Sequence, residues 1–176
     1  MLGGRSENPE LWGFLESLRC GESLPGTVAA IERFGVFVGL DHGPAHPIFP
    51  GVGFITLPEL SWRSFEAATD VVEVGRRVLC EFLQFDTTNL EARLSLRAMR
   101  PDPFQAFADQ SAAGRELTGR VTKIVPFGLF VQVDDGVEGL VHLPAAAEGV
   151  AQVGEELAVV VIDLDRARRR LALGLR

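Results

Sequence analysis

Apolar and polar positions alternate with a period of two over most of the chain, in short runs broken by Gly, Pro and Asp. In the second half these runs are Val121 to Val125, Leu129 to Val133, Gly139 to Leu143, Leu157 to Ile162 and Arg170 to Leu175, all rich in β-branched or aliphatic residues. They predict five strands. Side chains alternate across a strand, so Leu129, Val131 and Val133 face a core while Phe130 and Gln132 point away from it. The first half has the same layout, with Val36, Val38 and Leu40 inward and Phe37 outward. Five strands that each hide one face, in about 60 residues without a helical layer, suit a small closed barrel.

The two halves are copies. The phrase FGVFVGL at 34 to 40 returns as FGLFVQV at 127 to 133, and Gly26, Val28 and Ile31 return as Gly119, Val121 and Ile124. Gly53-Phe54-Ile55 then matches Gly139-Leu140-Val141, Val74-Gly75 matches Val153-Gly154, and Phe85-Asp86 matches Leu164-Asp165. The spacing shrinks in two steps, so the first copy holds seven extra residues before Gly53 and seven more before Gly75. Insertions confined to such places belong in loops.

A helix start precedes each copy. Asn8 and Pro9 open one; Asp102, Pro103 and the capping-box residue Gln105 open the other. Trp12, Phe14, Leu15, Phe104 and Phe107 are expected to dock these helices on the barrels. The expected architecture is therefore mainly β: two five-stranded barrels in tandem, each preceded by a short α-helix. The boundary falls inside a structured linker from Ala98 to Gly114, giving domains 1–100 and 101–176.

Composition changes this picture little. The 47% hydrophobic and 23% charged residues are those of a globular protein. The longest uncharged stretch, Gly43 to Pro58, is broken by Pro and Gly, and the first ten residues lack a signal-peptide hydrophobic region, so a cytoplasmic protein without membrane attachment is expected. Cys20 and Cys80 form no metal or disulfide pattern and are expected to be small buried hydrophobes. His42 and His46 have metal-ligand spacing, but Gly43, Pro44 and Pro47 forbid the helix that spacing needs, and a surface loop is expected. Ile48, Phe49 and Phe54 beside the prolines leave two options for that loop, a patch for a partner or a loop folded on its own barrel. No phosphate loop or nucleophile elbow is present, so neither an enzymatic role nor a cofactor is implied.

Charge bears on function. The net charge of −7 argues against binding driven mainly by phosphate attraction. It is also uneven: residues 113–176 carry eight basic and nine acidic side chains, residues 1–112 nine and fifteen. A polyanion would prefer the second half. Outward Phe37 and Phe130 either cover a barrel surface or stack on bases, the latter contributing ~1–3 kcal/mol per base.

The string GRVTKIVPFGLFVQVDDGVEGLVHLP, followed by VGEELAVVVIDLDRARRRLALGLR, resembles the S1 RNA-binding domain, a five-stranded OB-fold barrel. Residues 21 to 97 are similar at lower fidelity, and the linker PDPFQAF resembles connectors in tandem S1 arrays of the ribosomal protein S1 family. The resemblance implies a single-stranded RNA face on the second and third strands, with two aromatics, a histidine, an aspartate and an arginine. In the second copy these are Phe127, Phe130, His142, Asp165 and Arg170, with Lys123, Arg166, Arg168 and Arg169 adding positive charge. In the first copy Phe34, Phe37 and Asp86 match, but Thr56 replaces the histidine and Glu91 the arginine. That copy is expected to bind RNA weakly or not at all and to meet the ribosome or another protein instead. A second reading makes the whole chain an interaction module that docks on ribosome, RNA polymerase or a nuclease.

Overall fold

The computed structural model describes residues 4–144 and 149–176. The chain divides into two compact units, Met1–Pro101 and Asp102–Arg176. In the first, helix α1 (Pro9–Ser17) precedes strands β1 (Ser23–Glu32), β2 (Gly35–Leu40), β3 (Gly53–Thr56), β4 (Arg77–Asp86) and β5 (Glu91–Ser95). In the second, α2 (Pro103–Asp109) precedes β6 (Glu116–Val125), β7 (Gly128–Asp134), β8 (Val137–His142), β9 (Glu156–Asp165) and β10 (Arg170–Leu175).

Each set of five strands closes into a barrel, in the orders β1-β2-β3-β5-β4 and β6-β7-β8-β10-β9. Closure comes from the long first strand, which pairs antiparallel with two neighbours at once: β1 with β2 and β4, β6 with β7 and β9. One pair in each barrel is parallel, β3 with β5 and β8 with β10. Both barrels bend at the same places. Ladder shifts around Ala29 and Leu83 recur around Thr122 and Ile162, the matching positions of the repeat. A bulge at these points lets a long strand turn the corner and leave one partner for another.

The cores follow the period-two pattern. Val28, Val36, Val38, Ile55, Cys80 and Leu94 fill the first barrel, and Val121, Leu129, Val131, Val141, Val159 and Leu173 the second. Each such side chain contributes on the order of 1.5–3 kcal/mol by leaving water. Leu11 and Leu15 of α1 join the first core, and Phe104 and Phe107 of α2 the second. Trp12 and Phe14 pack at the edge of the first core.

Three local expectations are corrected. Gln105 does not reach back to close a capping box; its amide instead donates to the Arg166 carbonyl, and Asp102 caps the helix by accepting from the Phe104 amide. Asn8 holds the N-cap position of α1 without a side-chain cap hydrogen bond. Cys80 is buried, and burial pushes its thiol up to about 12, but Cys20 is exposed because it lies in the turn after α1, before the barrel begins. The connection from Leu143 to Val153, seven residues shorter than its counterpart in the first copy, includes residues 145–148, outside the described residues.

Candidate nucleic-acid interface

Strand register decides which side chains can share a ligand. On the outer surface of the second barrel, Lys123 of β6 lies opposite Phe130 of β7, Phe130 opposite Leu140 of β8, and Leu140 beside Ala172 of β10. These four residues form one row across four strands. Phe130 stands in its middle and is half-buried.

The other predicted residues lie at the two ends of this row. His142 pairs with Gly128, two residues along the strands from the row, so no side chain shields it from Phe127 in the adjoining turn. Phe127 is 53% exposed, and its ring centroid lies 6.5 Å from the exposed His142 ring at a tilt of 35°. At the opposite end Arg170 faces Asp165 across β9 and β10, two residues before Ala172 on the same face. Because β8 and β10 run parallel, His142 and Arg170 are about four residues' rise apart along the strands, ~13 Å. The predicted residues therefore make a strip, not a single cluster. Its polar end is mixed: Asp165 accepts from the Arg168 amide, and Glu138 accepts from the Thr122 hydroxyl. Among the described residues Lys123 and Arg170 have no ion-pair partner.

The remaining arginines divide by role. Arg169 pairs with Asp102 at 2.7 Å and lies over the Phe104 ring, and Arg166 pairs with Asp109 at 2.7 Å. Both tie the β9–β10 turn to α2, while Arg168, its side chain 74% exposed, lies 3.9 Å from Asp165 within the turn itself. Arg169 also adopts a left-handed backbone, φ 53°, as does the matching Leu90 of the first barrel, φ 55°. Neither is glycine, so sequence offers no turn signal there.

The first barrel builds the same row from Ala30, Phe37, Phe54 and Arg93. Phe37 points outward as the alternation requires, yet it is only 4% exposed. The cause is the first seven-residue insertion. Phe49 stacks on Phe37 with centroids 5.3 Å apart and planes at 24°, and Phe54 closes the other side at 5.0 Å. The loop carrying His42 and His46 thus folds onto its own barrel. His46 is buried against the Asn89 carbonyl, while His42 is exposed. Phe34 remains 61% exposed at the rim.

The polar end of this first strip is neutralised from within. Arg93 lies over the Phe54 ring at 4.9 Å and pairs with Asp86 at 2.8 Å and Glu91 at 3.8 Å. Burial pushes Asp86 up, but the Arg93 hydrogen bond and the Asn89 and Thr88 amides outweigh it and hold its carboxyl below the ordinary value. Glu91 is 3% exposed, and burial with the neighbouring Asp86 charge pushes it up to about 7 against the pull of Arg93. Thr56, at the histidine position opposite Gly35, is half-buried. Sequence pattern missed the Phe49 cover and the Arg93–Phe54 contact; the insertion, with an aromatic between two prolines, was the available signal.

Comparison with known proteins agrees with this duplicated architecture. The model of the S1 RNA binding domain matches twice, at residues 17–97 and 110–176. Small ribosomal subunit protein bS1 of Mycolicibacterium smegmatis is 40% identical over 171 residues, 93% of this chain and 34% of the relative. The bS1 protein of Neisseria meningitidis is 30% identical over 92% of this chain and 29% of its own length. The chain thus spans about a third of the length of these relatives. Among solved structures, the intact alpha subunit of aIF2 from Pyrococcus abyssi is 26% identical, covering 54% of this chain and 34% of that one with a TM-score of 0.39. With both barrels matched and this identity across nearly its whole length, the chain belongs to the S1 RNA-binding domain family, whose domain it carries in two copies.

Proposed function

We propose that this is a non-enzymatic RNA-binding protein that acts in translation and holds single-stranded RNA on the outer strip of its second barrel. Phe130 is the central stacking platform, Phe127 and His142 take a neighbouring base, and Lys123, Arg168 and Arg170 meet the backbone. Asp165 orients the β9–β10 turn through the Arg168 amide and is placed to accept from a ribose hydroxyl. The observation that carries this reading is the state of the central ring: Phe130 is half-buried between Lys123 and Leu140, whereas Phe37 is covered. The two S1 matches and the bS1 relatives support RNA as the ligand class and translation as the setting. Affinity rests on stacking more than on charge, since few cations line the strip and acids stand among them.

The test is a fluorescence anisotropy titration of a short single-stranded RNA. Phe130→Ala combined with Arg170→Ala is expected to weaken binding at least tenfold, ~1.4 kcal/mol. Unchanged binding would overturn the assignment and favour the alternative, in which the barrels dock on a protein partner. A stoichiometric partner that survives nuclease treatment would then identify it.

A further inference from the structure

The insertion that covers Phe37 has the properties of a removable cover. It runs from Asp41 to Val52 and is fixed firmly at both ends. At Gly51 a Cβ would lie 2.5 Å from the Val38 carbonyl oxygen, and at Gly43 one would lie 3.0 Å from the Phe14 ring. Asp41 is held by Arg77 and by the hydrogen bond its backbone N–H donates to the Pro25 carbonyl. Between these anchors, residues 44–50 join no strand and, among the described residues, make no backbone hydrogen bond to the barrel's backbone.

Two side chains hold the apex. His46 Nδ1 accepts from the Ile48 and Phe49 amides at 3.1 and 3.0 Å, so Nε2 carries the ring proton and donates to the Asn89 carbonyl at 2.9 Å. Phe49 then lies between His46, 4.8 Å away, and Phe37, 5.3 Å away. Ile48, next to it, is 63% exposed. The offset stacking of Phe49 on Phe37 is the arrangement an aromatic ring offers to any flat partner.

We infer that residues 44–50 are an autoinhibitory strap, in which Phe49 occupies the place of a base on Phe37 and keeps a second single-stranded nucleic-acid site closed. Releasing it exposes Phe37 and Phe54, with Phe34 at the rim and the Arg93 guanidinium over the row. This rests on the reading of the second barrel's strip as an RNA-stacking surface, because it treats the matching row as a surface of the same kind. The released site relies on stacking, since Asp86 and Glu91 balance Arg93.

The experiment uses the full chain and a fluorescein-labelled oligouridylate. In a Phe130→Ala/Arg170→Ala background the second site is disabled; adding His46→Ala and Phe49→Ala is expected to tighten residual binding at least tenfold, with amide shifts in residues 35–38 and 53–56. A second variant, Phe49→Leu in the same background, keeps an apolar cover without a ring and is expected to gain at least threefold. Absence of gain in folded protein overturns the strap while leaving the second-barrel assignment intact. Loss of cooperative melting in both variants also overturns it, since the segment is then part of the core. If the background variant itself binds like wild type, the proposed function fails instead.

Discussion

The two barrels share strand order, two bulge positions and a left-handed residue before the last strand, yet the equivalent outward ring is half-buried in one and covered in the other. The difference lies in what surrounds one equivalent ring. Phe130 has Lys123 and Leu140 on either side and a tight β7–β8 turn that carries nothing across it; Phe37 has Phe54 on one side and Phe49 above it. A seven-residue insertion converts a platform into an interior. The fold therefore specifies where a stacking surface can be, and the loops specify whether it is one.

The largest effect that separates the barrels is a backbone one. Gly128 begins β7 against β8, and a Cβ there would overlap the Val141 carbonyl oxygen; at Gly35, its counterpart, a Cβ would overlap both the Ile55 carbonyl oxygen and the Phe54 ring. Gly128→Ala is expected to cost the second unit about 3 kcal/mol or more, because a backbone atom cannot swing aside as a side chain can. Amide signals from residues 116–175 should lose dispersion while those from 23–95 persist. Gly35→Ala should show the reverse pattern at a comparable cost, because moving the Phe54 ring still leaves the Ile55 carbonyl oxygen 2.5 Å from the added Cβ. Coupled loss of both units in either variant would mean that they do not fold independently.

Much of this was legible in the sequence for a physical reason. Period-two alternation fixes the inward and outward faces, and closing five short strands leaves few alternatives, so Val36, Val38, Leu129 and Val131 fall in cores as their spacing requires. Phe130 and His142 share the outer surface for the same reason, whereas Phe127 lies in the turn before β7 and joins them beside the His142 ring. What alternation does not encode is what a loop does with a face it leaves outward. Phe37 was legible as outward and illegible as covered, because its cover comes from Phe49, in a segment with no period. Arg169 and Arg166 read as part of a basic run, but their partners Asp102 and Asp109 lie in a helix more than fifty residues earlier. The spread of the site into a strip follows from the parallel β8–β10 register, which only the closed barrel fixes.

The next largest effect concerns the position occupied by Glu91 in one barrel and Arg170 in the other. Glu91 is buried and its carboxyl is pushed up to about 7, above the ordinary glutamate value, so the folded first unit binds a proton more tightly than the unfolded chain does. Its contribution is fully present below the unfolded value and is lost as pH rises through about 7. Asp86, held below its ordinary value, has the opposite sign and loses its contribution only in stronger acid. Urea unfolding followed by signals of the first unit should thus show stability falling by about 2 kcal/mol from pH 5 to pH 8. Glu91→Gln should remove most of that slope. The second unit, with the exposed Arg170 in this place, should lack it.

A smaller effect tests whether residue identity or covering decides binding. His142→Ala is expected to weaken RNA binding about fivefold, ~1 kcal/mol, by removing one stacking or hydrogen-bonding partner beside Phe127. The converse change, Thr56→His, restores an imidazole to the first barrel but leaves Phe37 under Phe49. It is expected to give no new binding in the Phe130→Ala/Arg170→Ala background. A gain from Thr56→His alone would locate the defect of the first barrel in its rim rather than in its cover.

The smallest effect is in the salt dependence, and it bears on why an acidic chain can bind RNA at all. Each phosphate contact on a single strand contributes about −0.7 to the slope of log K against log salt. Lys123, Arg168 and Arg170 are the cations along the second strip, so the slope for the whole protein should be near −2. Arg170→Ala should make it shallower by about 0.7, whereas Phe130→Ala should lower affinity with the slope unchanged, because stacking releases no counterions. Arg169→Ala should leave the slope unchanged as well, since that guanidinium is engaged with Asp102 and Phe104. A steep slope that Arg170→Ala does not alter would mean that phosphates are met elsewhere on the protein. The accessible ring of the second barrel would then be incidental to binding, and the contrast with the covered ring of the first would lose its functional meaning.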